Sequence, residues 1–100
     1  MLGVISYACV IAGFKDKDAE DLFNNRRASK RLAPYADAAL RKLVSVDAAT
    51  TIADLSSPGN DLKKLGGTKD TWQIRITGKY RVRFTWDGHD ARDVEIGDFH

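Results

Sequence analysis

The chain has 100 residues, enough for one domain with a single core and too few for two. Its 43% hydrophobic and 30% charged content is ordinary for a soluble globular protein, and the lone Cys9 excludes an internal disulfide and a cysteine-based zinc cluster, in keeping with a reducing, cytoplasmic setting. The net charge of +2 hides an uneven spread: Asn60 to Arg83 carries a balance of +5, and Thr85 to His100 one of −4. A local basic field attracts phosphate even in a nearly neutral protein, although a solvated strand face with cross-strand ion pairs accounts for the same charges.

The opening MLGVISYACVIAGF is apolar, yet too short to span a bilayer and without the basic n-region of a signal peptide. Val4, Ile5, Tyr7, Val10, Ile11 and Phe14 fit a buried strand, with residues 1–9 read as an extension to a core that begins near Val10. DKDAEDLFNNRR reads as a short helix: Asp16 or Asp18 caps it, acids crowd its first turn, and Arg26 and Arg27 close it. Ala19, Leu22 and Phe23 supply its inner face, and Arg26, Arg27, Lys30 and Arg31 form a basic connector, read as a helix end and solvated loop in preference to a binding site.

In LAPYADAALRKLVSVDAA, Pro34 suits a first helical turn. Leu32, Ala36, Ala39, Leu40, Leu43 and Val44 make one stripe opposite Asp37, Arg41 and Lys42. TTIAD adds a helical turn with Thr51 as cap and Asp54 near the capping-box position, and SSPGN is a loop. From Leu62 the period changes to two. WQIRIT, YRVRFTW and ARDVEIGDF read as three antiparallel strands, joined at Gly78-Lys79 and at DGHD. The fold class is therefore α+β, with an N-terminal strand and two to three helices packed on one face of a small, mainly antiparallel sheet. Trp72, Ile74, Ile76, Val82, Phe84, Trp86, Val94 and Ile96 face the helices, which leaves Arg75, Arg81 and Arg83 on the other face, near LKKLGGTK.

No metal-ligand spacing, nucleophilic triad, phosphate-loop spacing or cofactor motif is present, and His89 falls in a hairpin turn. What remains is arginine, lysine and the terminal His100, groups that can cut RNA without metal: a base deprotonates the 2′-hydroxyl, cations stabilise the phosphorane, and an acid protonates the leaving 5′-oxygen. Arg81 suits the cation because its fork matches two phosphate oxygens, and Lys63 and Lys64 add point charges. His100 exchanges protons near neutral pH, and its own α-carboxylate and Asp98 favour the imidazolium, hence an acid role; a frayed terminus without a role is the alternative. Phe99 can stack on a base, and Arg75, Arg83, Lys69 and Asp98 are the remaining substrate-contact candidates.

The ordered series FKDKDAEDLF, LRKLVSVDAATTIADLSSPGNDLKKLGG, TWQIRITGKYRVRFTW and DVEIGDFH resembles the RelE/HigB superfamily of bacterial type II toxins, its HigB/GraT branch in particular, from about Val10 to His100. The resemblance implies a compact toxin that enters the ribosomal A site and cleaves mRNA there, neutralised by a helix-turn-helix antitoxin of HigA type. It places the strand arginine at Arg81, the terminal D-Y-H at Asp98, Phe99 and His100, and the basic loop, often L-H-P-L-K-G, at Leu62, Lys63, Lys64, Leu65, Gly66 and Gly67. Lys63 stands where the loop has histidine, Gly66 where it has lysine and Phe99 where the tail has tyrosine. A lysine at its usual pKa is a poor proton shuttle, so the same resemblance leaves room for a catalytically weak or inactive module that binds RNA, the ribosome or the antitoxin.

Overall fold

The computed structural model describes residues 11–67 and 70–99. Helix α1 (Lys17–Asn25) starts because extended Asp16 (φ −117°) accepts the Asp18 N–H on its carboxylate at 3.0 Å, with Asp18 and Glu20 adding negative charge to the first turn. It stops where Arg26 turns left-handed (φ 53°) and returns its N–H to the Leu22 carbonyl at 3.1 Å. Ala19 and Leu22 are buried, and Phe23 meets Phe14 with ring centres 5.9 Å apart.

Pro34 lies in a 3-10 turn, Ala33–Tyr35, that feeds α2 (Ala36–Ala48). The buried stripe of α2 is Ala39, Leu43 and Val46, all fully enclosed. Val44, expected on that stripe, is instead 44% exposed. Each helical residue turns the chain by about 100°, so a stripe centred on 39, 43 and 46 carries position 44 off the contact face. The expected cap then forms: around the 3-10 turn Ile52–Leu55, Asp54 accepts the N–H groups of Thr50 (2.9 Å) and Thr51 (3.1 Å) and the Thr50 hydroxyl (2.9 Å). These backbone donors hold the Asp54 carboxyl below its ordinary pKa. Lys42, expected on the outer face of α2, is half-buried and donates to the side-chain oxygen of buried Asn60 at 2.6 Å, while Asn60 donates to the Leu55 carbonyl at 3.1 Å.

Four strands follow in spatial order, all antiparallel: β1 (Lys63–Lys64), β2 (Thr71–Thr77), β3 (Tyr80–Trp86) and β4 (Ala91–Asp98). The basic loop thus supplies a short edge strand that its sequence did not announce. Gly78 at φ 53° closes the β2–β3 turn, and Asp87 closes the next by accepting the N–H groups of His89 (2.9 Å) and Asp90 (2.7 Å). Of the N-terminal strand, Ile11 and Phe14 are described and form isolated parallel bridges to Ala91 and Val94 of β4. Val4, Ile5, Tyr7, Val10 and the extension over residues 1–9 lie outside the described residues.

The outer edge of β4 is completed in two ways. Ala12 and Lys15 donate to the Ala91 and Val94 carbonyls at 2.7 and 3.0 Å, and Val94 donates to Gly13 at 3.2 Å. Beyond that point side chains take over: the Ile96 N–H donates to Asp16 Oδ2 at 3.1 Å, and Arg31 Nη1 donates to the Ile96 carbonyl at 2.8 Å. Arg31 also grips Asp16 Oδ2 at 2.7 Å and Asp18 Oδ2 at 2.9 Å. It is therefore a structural tie and no part of a solvated connector, a role set by partners distant in sequence. Burial opposes its charge, but the hydrogen bonds to Asp18 and Asp16 outweigh that, and its pKa is raised.

The core lies between the helices and the inner sheet face, where Ile74, Ile76, Val82, Phe84, Trp86, Val94 and Ile96 are buried. Trp72, expected among them, is half-buried at the rim. Tyr35 stacks on Tyr80 with ring centres 4.2 Å apart and planes 17° from parallel, yet its buried hydroxyl has no hydrogen-bond partner among the described residues.

Asp16→Ala removes a helix cap and a charged acceptor together and is expected to cost about 3 kcal/mol. A stability loss in urea unfolding of less than a third of that would show the tie to be dispensable. Tyr35→Phe deletes an unsatisfied hydroxyl, so stability at neutral pH should stay level or rise by up to about 1 kcal/mol. Burial raises the Tyr35 pKa above the ordinary phenol value. A group whose pKa rises on folding stabilises below its unfolded pKa and loses that contribution as pH climbs through the folded value. Melting curves from pH 8 to 11 should accordingly show a shallower alkaline decline in the variant.

Candidate nucleic-acid interface

Alternation along β3 turns Val82, Phe84 and Trp86 to the helices and Arg81, Arg83 and Thr85 to the uncovered face. Register then builds two cross-strand rows on that face. One runs Lys63, Gln73, Arg83, Glu95 and the other Arg75, Arg81, Gly97. Lys64 pairs with Trp72 instead, and its ammonium lies 5.8 Å from the centre of that ring. The two lysines expected to act together are thus divided: Lys63 shares the arginine face and Lys64 does not.

Arg81 is half-buried, and its Nη1 donates to the Gly78 and Tyr80 carbonyls at 2.8 and 3.2 Å. These bonds fold the guanidinium over the β2–β3 turn and leave Nε and Nη2 without a protein partner among the described residues. Arg75, directly across the ladder, is exposed. Two guanidinium groups so placed repel each other unless an anion lies between or above them.

Arg83 differs. Its guanidinium carbon sits 4.0 Å from the Phe99 ring centre, its Nη2 reaches Gln73 Oε1 only at 3.5 Å, and its Nε is buried without a partner among the described residues. Phe99 folds back over Gly97, and Lys79 pairs with Asp98 at 3.4 Å. Next to Arg83 lies a cleft of about 430 Å³ lined by Leu65, Thr71, Thr85, Asp93 and Glu95, with Lys15 3.8 Å from Glu95 at its edge. The β4 acids therefore bound the basic field on one side. His89 sits in its turn as expected, 3.0 Å from Asp90. Lys69 and His100 lie outside the described residues.

Sequence reasoning missed Gln73 and Gly97. Gly97 did carry a signal, since a glycine within a strand marks a bulge or a close approach. Gln73 carried none, being one polar residue in an ordinary alternation. Among the described residues no three His, Cys, Asp or Glu side chains gather as metal ligands, and no helix is long and apolar enough to cross a membrane.

Residues 12–100 match the family model described as the RelE-like toxin of the type II toxin-antitoxin system HigB. No curated protein matches the chain.

The divided lysines give a direct test. With a single-stranded RNA oligonucleotide as polyanionic probe, Lys63→Ala should reduce the slope of log affinity against log salt by about 0.7, the value for one phosphate contact on a single strand. Lys64→Ala should change it by well under half as much. Equal effects would mean that register does not decide which lysine faces phosphate.

Proposed function

The chain belongs to the HigB-like family of RelE-like type II toxins, and on that premise we propose that it is a ribosome-dependent, metal-independent mRNA endonuclease that halts translation. One observation carries the reading: Arg81 stands on the uncovered face with one arm on the turn carbonyls, its Nε and Nη2 uncommitted, and Arg75 across the ladder. A guanidinium held this way has already lost much of its rotamer freedom, so less entropy is spent when it meets a phosphate.

In the reaction a base takes the proton of the 2′-hydroxyl and the O2′–P bond forms. The P–O5′ bond breaks, and an acid returns a proton to O5′. Arg81 stabilises the charge that grows on the non-bridging oxygens, Lys63 adds a second positive centre, and Arg75 and Lys69 hold flanking phosphates. His100, one residue beyond the packed Phe99, is assigned the acid role. Lys64, beside Trp72, contributes at longer range. Asp98 sets the charge near the terminal imidazole, and the ribosome supplies the substrate alignment that so few groups cannot. The partners are the ribosomal A site with its mRNA and a HigA-type helix-turn-helix antitoxin, all in the cytoplasm; no cofactor is required.

A second reading rests on Lys63 and on the packing of Phe99 against Arg83. A loop lysine in place of histidine, and a tail ring already stacked on protein, suit a catalytically weak or inactive module that binds RNA, the ribosome or the antitoxin.

Induction in cells followed by mapping of mRNA 5′ ends separates the two. The nuclease should produce cuts within codons, and Arg81→Ala should reduce them by about 10²- to 10³-fold, the usual loss for one charge-stabilising donor. Growth arrest without new 5′ ends, unchanged by Arg81→Ala or by removal of His100, would leave the binding module.

A further inference from the structure

We propose that Gly97, Arg83 and Phe99 form a latch that holds the end of the chain against the uncovered sheet face, with Arg83 as a positioning residue beneath the Phe99 ring. Residues 97 and 99 project to the same side of an extended chain, so a ring at 99 leaning back along the strand must pass over residue 97. An added Cβ at Gly97 would meet the ring at 3.1 and 3.2 Å, closer than such contacts normally run, so the ring would have to shift by a few tenths of an ångström from its seat on Arg83. The guanidinium carbon of Arg83 lies 4.0 Å from the ring centre, at stacking distance.

The state of the Arg83 polar atoms points the same way. Among the described residues its Nε is buried with no partner and its Nη2 has only a long contact to Gln73. An arginine placed to bind phosphate would keep Nε open to solvent; here that donor is covered. The latch is seated on a fixed base, because Ile96 is tied to Asp16 and Arg31 and Asp98 is paired with Lys79. Since Gly97 is the ladder partner of Arg81, the ring is anchored beside the row that contains Arg81. Displacing it by an ångström would move whatever follows it relative to that arginine, and misplacement on that scale is costly in catalysis.

The packing stands on its own; its catalytic consequence rests on the nuclease reading, and the test keeps the two apart. Proton NMR of the full chain should show the Gly97 Hα lines displaced upfield by the ring above them. Phe99→Tyr should keep the displacement, Phe99→Leu should abolish it, and Arg83→Gln should reduce it. Carboxypeptidase should remove the terminal residue about tenfold faster from Arg83→Gln than from the parent. Unshifted Gly97 lines in the parent, or lines indifferent to Arg83→Gln, would overturn the latch. If the parent cleaves mRNA on ribosomes, Arg83→Gln should lower kcat about tenfold with KM within twofold, whereas a raised KM at constant kcat would make Arg83 an RNA ligand and refute its positioning role. A parent without cleavage removes the nuclease reading and leaves the NMR result to judge the latch.

Discussion

The Asp16 carboxylate serves two layers at once. One oxygen closes the first turn of α1; the other accepts the Ile96 N–H and meets the Arg31 guanidinium, which in turn holds the Ile96 carbonyl. A backbone strand satisfies the outer edge of β4 as far as Val94, and this pair of side chains satisfies it at Ile96. An unpaired strand edge would fray at its end and invite other chains to pair with it. The tie therefore fixes the last strand up to the residue before Gly97, and the position of everything that follows in the chain is referred to it. Its value comes from hydrogen-bond geometry, since Arg31 is partly exposed and a simple ion pair in that setting contributes little.

With β4 fixed, the sheet divides cleanly into an apolar face under α1 and α2 and a charged face without a helical cover. Among the described residues two buried polar atoms stay unsatisfied, the Tyr35 hydroxyl and Arg83 Nε, and each costs about 1–3 kcal/mol in isolation. Both belong to flat groups stacked on another flat group, Tyr35 on Tyr80 and Arg83 on Phe99. The stacking geometry determines where the polar atom falls, and the area buried between the two planes offsets the missing bond. One stack joins the helical layer to β3, and the other joins β3 to the end of the chain.

Much of this was legible in the sequence because it depends on near neighbours. Period-two alternation from Trp72 to Trp86 assigns each side chain to a face without knowledge of the fold, and Thr51 and Asp54 announce a cap three residues apart. The illegible part depends on distant partners. Nothing within a turn of Arg31 shows that it will bind a carbonyl 65 residues on. The position of Val44 on α2 agrees with apolar spacing as well as that of Val46 does, and only the site of the sheet beneath the helix decides between them. Lys63 and Lys64 look equivalent as a pair of loop cations; once they form a strand, adjacent residues must point to opposite faces, and their roles separate.

The departures from the family loop and tail then acquire a physical order. Gly66 is exposed, and an added Cβ there would meet nothing within 4 Å, so packing does not demand glycine and the change is one of charge. Lys63 is exposed as well, and it puts a lysine on the arginine face where the resembled loop has a histidine. Phe99 alone is packed, and its contact with Arg83 engages the ring face, for which a hydroxyl at the para position is immaterial. On the proposed reading the loop changes would bear on proton transfer and charge, and the tail change on neither. On the proposed nuclease reading, Arg81, Arg75 and Lys63 would supply the electrostatic part of phosphoryl chemistry, and proton transfer would fall to His100.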